Sequence, residues 1–97
     1  MNMQMLMKQA QKMQKDMQKA QEELSAMTFT SKQPLVEVTI NGDCELKDIK
    51  ISNEITSDDI EVLQDMILIA MNDAIKQAKD TKESKLGNLG SGLAGLF

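Results

Sequence analysis

The side chains that most often carry covalent or metal chemistry are sparse in this 97-residue chain. It contains no His, which excludes every triad built on imidazole and every His-based metal cluster. Cys44 is the single cysteine. A thiol attacks as its thiolate and needs a neighbouring base or cation to form it, and none is evident around Cys44, which reads as an ordinary packed residue of a strand. It also has no intrachain disulfide partner, a pattern expected of a reducing compartment. Asp58-Asp59-x-Glu61 has the composition of a metal site, but three acids at a helix start are explained by the positive end of the helix dipole. The C-terminal glycines precede no helix that could cradle a phosphate. The expectation is a chain that is not an enzyme, with no catalytic, cofactor-binding or metal-binding residue and no small-molecule substrate.

The lysines are spaced more tellingly. Lys8, Lys12, Lys15 and Lys19 recur at intervals of four, three and four, which places them along one face of a helix. At 1.5 Å per residue they span roughly 16 Å, comparable to several phosphate spacings along a nucleic-acid strand. Three readings stay open for such a stripe: a solvated helix face, a surface for duplex phosphates, or the outer side of a helix that pairs with another protein. The formal net charge of -4 argues against nucleic acid, but its distribution is uneven. Residues 1–27 hold four Lys against three acids, whereas residues 58–82 hold three against six. All eleven basic residues are lysine. The missing arginine removes the commonest bidentate contact to guanine and favours weak sequence preference over operator-like specificity.

The stripe needs a helix to hold it. Met3, Leu6, Ala10, Met13, Met17, Ala20, Leu24 and Met27 alternate at spacings of three and four, a heptad seam opposite the lysines. A helix is therefore expected over about residues 2–27, its seam buried against a second subunit's helix, the chain's own sheet, or both. The period then changes to two. Thr28-Phe29-Thr30 opens a strand, Lys32-Gln33-Pro34 is a turn or irregular link, and Val36, Val38 and Ile40 alternate with Glu37 and Thr39. Asn41-Gly42 is a strong hairpin signal. The return strand, Cys44 to Ile51, needs a bulge near Lys47-Asp48 to reconcile the spacing of Leu46, Ile49 and Ile51. The sheet thus occupies about 28–52. Thr56 and Asp59 resemble a capping box, and Ile60, Leu63, Ile67, Ala70, Met71, Ala74 and Ala78 mark the inward face of a helix over about 57–82. The Gly/Leu-rich residues 86–97 are expected to form a flexible tail. No apolar run reaches the roughly 18 residues of a membrane span.

Four pieces of this pattern resemble, in order and spacing, the YbaB/EbfC family of bacterial nucleoid-associated proteins. They are the opening helix Leu6 to Leu24, the strand and hairpin Val36-Glu37-Val38-Thr39-Ile40-Asn41-Gly42, Leu46 with Ile49-Lys50-Ile51, and Leu63 to Ile67 with Ala70-Met71-Asn72-Asp73-Ala74. The resemblance covers about residues 5 to 80. It implies an α+β fold, an α-β-β-β-α subunit in one domain over 1–97, paired through its central region into a tweezer-like homodimer. It further implies binding of double-stranded DNA with little sequence selectivity, a cytoplasmic, nucleoid location, a role in nucleoid organisation or gene regulation, and no cofactor. The family's basic first helix falls on Lys8, Lys12, Lys15 and Lys19, and Asn72 and Asp73 match a second-helix motif read as structural. The alternative is a non-enzymatic dimeric adaptor that binds another protein through its helices or C-terminal tail.

Overall fold

The computed structural model describes the backbone of residues 2–94 and the side chains of residues 2–87. The chain runs α1 (Met3–Ala26), β1 (Thr28–Lys32), β2 (Val36–Asn41), β3 (Leu46–Ile51), a 3-10 turn (Ser57–Asp59) and α2 (Ile60–Ala94). This is the α-β-β-β-α order of an α+β fold. Its radius of gyration is 19.6 Å, against about 12–13 Å for a compact chain of this length. The molecule is a rod, 70 Å along its longest axis.

Helix α1 opens on Asn2, whose Oδ1 accepts from the Gln4 amide at 3.0 Å. This satisfies one of the donors a helix start leaves open. The three strands form one antiparallel sheet in the order β1-β2-β3. The expected bulge is present: Thr39 pairs with Asp48 and Ile40 with Leu46, so Lys47 is the extra residue. Val36, Val38 and Ile40 point to one face and are buried together with Phe29, under Ala70, Ala74 and Ala78 of α2. The alanines recur every four residues, so a stripe without bulk lets α2 lie close over β1 and β2. The other face is polar, with Thr30 and Thr39 sharing a hydrogen bond at 3.1 Å.

A polar clamp secures α2 to the first strand. Buried Ser31 donates from Oγ to Asp73 Oδ2 at 2.7 Å, and Gln77 Nε2 donates to the same oxygen and to the Thr30 carbonyl. Asp73 thus has a structural role in this fold.

Three boundaries differ from expectation. Cys44 is in a loop, since β3 begins only at Leu46. Asn41 takes over the turn: its Oδ1 accepts from the Asp43 and Glu45 amides, and its backbone amide donates to the Glu45 carbonyl. That geometry sets Cys44 at φ 62°, a left-handed conformation in place of an extended one. The second helix begins through Ser57–Asp59, with the Asp59 carboxylate accepting from the Thr56 amide and hydroxyl, and becomes α-helical only at Ile60.

The third difference is larger. Helix α2 continues to Ala94, well past Lys82 and through the glycines expected to end it. A glycine costs only about 1 kcal/mol in a helix interior, and an established helix extends without a new nucleus. Lys85 is also tied to Glu23 of α1 at 3.3 Å, and Leu86 is half-buried. The expected flexibility of the last residues, 95–97, falls outside the described residues.

Candidate nucleic-acid interface

Helix α1 is anchored at one end. Leu24 is in the core, Met13, Met17 and Ala20 are half-buried, and every residue from 2 to 12 is exposed. Gly42 explains the anchor. A Cβ built there would stand 1.8 Å from the Leu24 carbonyl oxygen, so the hairpin backbone meets the end of α1 where no side chain fits. Ser25 Oγ adds a hydrogen bond to Asp43 at 2.9 Å. The N-terminal half of α1 is thereby held as a projecting arm.

The structure brings Lys8, Lys12, Lys15 and Lys19 together on that helix, all four exposed. None of them is in an ion pair among the described residues, where the two pairs are Lys50–Asp48 and Lys85–Glu23. Four unpaired ammonium groups on a helix more than 30 Å long (24 residues at about 1.5 Å each) can neutralise successive phosphates. They offer no planar fork for reading a base edge. Asp16 lies beside the stripe, three residues from Lys19 and four from Lys12, and reduces its field.

A second cationic group, outside the stripe read from the sequence, lies on α2. Lys79 and Lys82 line an open groove of about 400 Å³ with Gln21, Leu24, Ser25, Gly42, Asp43, Cys44 and Ala78. The series Lys76, Lys79, Lys82, Lys85 is the available signal, but only the packing of α2 beside α1 turns two of its members toward that groove. Cys44 is exposed there with a free thiol. The acids Asp58, Asp59 and Glu61 are not among the lining residues, so thiol and carboxylates form no common site. Among the described residues no three His, Cys, Asp or Glu groups stand together as metal ligands, and no helix is long and apolar enough to cross a membrane.

The chain is thus a small α+β helix–sheet–helix fold whose long first helix carries the lysines on its exposed side. Residues 1–93 match the model of the YbaB/EbfC DNA-binding family, and the chain belongs to that family. It is 48% identical over 96 residues to a nucleoid-associated protein of Lactococcus lactis subsp. cremoris, covering 96% of this chain and 97% of the relative. A nucleoid-associated protein of Chloroflexus aurantiacus is 44% identical, with both chains covered in full. The crystal structure of an uncharacterized protein, HP0035 from Helicobacter pylori, superposes with a TM-score of 0.78 at 26% identity, over 92% of this chain and 97% of that one.

Proposed function

We propose that this protein is a nucleoid-associated protein of the cytoplasm that binds duplex DNA with little sequence specificity. The contacts are mainly to phosphates, through Lys8, Lys12, Lys15 and Lys19, and the binding serves nucleoid organisation or gene regulation. The observation that carries this reading is the four-lysine stripe on the exposed side of α1, running from the arm onto its anchored half, in a chain of a DNA-binding family. Backbone contact needs only repeated cations at phosphate spacing. The acidic remainder of the chain repels DNA and leaves the arm as the favoured surface.

The working unit is a homodimer formed through the central region. Leu46, Ile49 and Ile51 extend the core face of the sheet onto β3, beside Ile40, Val38 and Val36, yet α2 packs over β1 and β2 and leaves all three exposed. Ile60, Val62, Leu68 and Ile69 of α2 are exposed as well. An uncovered apolar row on an edge strand calls for a partner, and a second copy supplies a matching one. The rival reading, a dimeric adaptor for another protein, assigns the same patch to a foreign chain.

Binding to two labelled duplexes of unrelated sequence tests the proposal. Equal affinity for both is expected, and changing all four lysines to Gln should weaken both equally, by about tenfold or more given the smaller counterion release. A folded protein that binds neither duplex at low salt would sink the DNA reading and promote the adaptor. Sedimentation of an Ile49→Lys variant checks the interface: it should run as a monomer where the parent protein runs as a dimer.

A further inference from the structure

The arm of α1 carries a second surface that DNA binding through the lysines leaves unused. Met3, Leu6 and Met7 are exposed, Met3 at 76%, and with Ala10 they continue the seam that Met13, Met17 and Leu24 bury nearer the body. At 3.6 residues per turn this seam lies on the side of α1 away from Lys8, Lys12, Lys15 and Lys19. Its borders are uncharged: Asn2 and Gln9 along one edge, Gln4 and Gln11 along the other. Charged residues beside an apolar seam normally select the partner helix and its orientation. Amides on both edges select against no orientation of a second identical helix, and the like charges of two such helices are turned away from each other.

We propose that the arms of α1 from two different dimers pair through Met3, Leu6, Met7 and Ala10, so that the assembly bridges two DNA duplexes. This rests on the DNA-binding reading above. Helices packed at about 8–10 Å between axes would carry their lysine stripes on opposite outer sides, one facing each duplex. The free seam is under two heptads long, shorter than the three or four that mark an independent coiled coil. The pairing therefore draws on the high local concentration of arms that DNA-bound dimers create.

The test is a sandwich capture: a duplex is immobilised, full-length protein is added, and retention of a second, labelled duplex is read. A variant carrying Met3→Gln, Leu6→Gln and Met7→Gln alters only exposed positions, so it should hold the first duplex as well as the parent protein does. It should retain at least about fivefold less of the second, which depends on arm-to-arm association. Ala10→Leu, which strengthens the seam, should raise capture. Equal capture by the triple variant would overturn the proposal, since each dimer would then bridge with its own two stripes. Loss of the first duplex in the triple variant would overturn it too, because the seam would then touch DNA. Parent protein that binds the first duplex and never the second refutes bridging alone. Parent protein that fails to bind the first refutes the DNA reading as well.

Discussion

Helix α1 has two halves built from the same residues with opposite fates. Near the sheet, Leu24 is buried against the hairpin and Glu23 reaches Lys85. At the other end Met3, Met5, Leu6 and Met7 carry the same apolar chemistry into solvent. The heptad seam is continuous across both halves, so patterning alone does not decide burial. What lies opposite decides it: the anchored half meets α2 and the Gly42 hairpin, and residues 2–12 of the arm are left exposed, with no partner among the described residues. Stability is therefore concentrated in the body, while the arm is left to interact with other molecules.

Substitutions matched between the halves sharpen this contrast. Ile40→Ala empties a fully buried position between sheet and helix and should lower unfolding free energy by about 3–4 kcal/mol. Met5→Gln on the arm should change it by less than about 0.5 kcal/mol. Urea denaturation of both would break the comparison if the arm substitution proved as costly as the core one. Gly42→Ala comes next, expected at about 3 kcal/mol, because the methyl group would be forced into the Leu24 carbonyl and overpacking at backbone is hard to relax. The same change at Gly87, where an added Cβ meets no described neighbour beyond the adjoining backbone of its own helix, should instead stabilise the helix by up to about 1 kcal/mol. Ser31→Ala is the smallest of the destabilising body changes. It removes the donor to Asp73 and should cost about 1.5 kcal/mol, read as a lowered urea midpoint with an unchanged slope.

Much of this is legible in the sequence for local reasons. Alternation places Val36, Val38 and Ile40 inward, the odd spacing of Leu46 and Ile49 reveals the Lys47 bulge, and Thr56 and Asp59 stand at capping-box spacing. The lysine stripe follows from helix periodicity alone. The remainder depends on long-range packing. Gly42 reads as a turn residue, yet its role is to let a distant carbonyl approach, and no glycine among the described residues needs a positive φ. Cys44 reads as a strand residue because nothing local shows that Asn41 holds the turn open to Glu45. Helix α2 reads as shorter than it is because composition counts glycines and takes no account of the α1 residues beside it. The uncovered row on β3 has the alternation of a buried strand, and only the position of α2 over β1 and β2 shows that its own chain does not cover it.

Whether Lys8, Lys12, Lys15 and Lys19 meet DNA phosphates is read from the salt dependence of binding. Binding of the parent protein should fall log-linearly with salt. Replacing Lys8, Lys12, Lys15 and Lys19 by Gln should flatten that slope by about 0.9 for each phosphate that is no longer neutralised. A slope unchanged by the four substitutions, in a protein that still binds duplex DNA, would contradict those contacts and move the interface off α1.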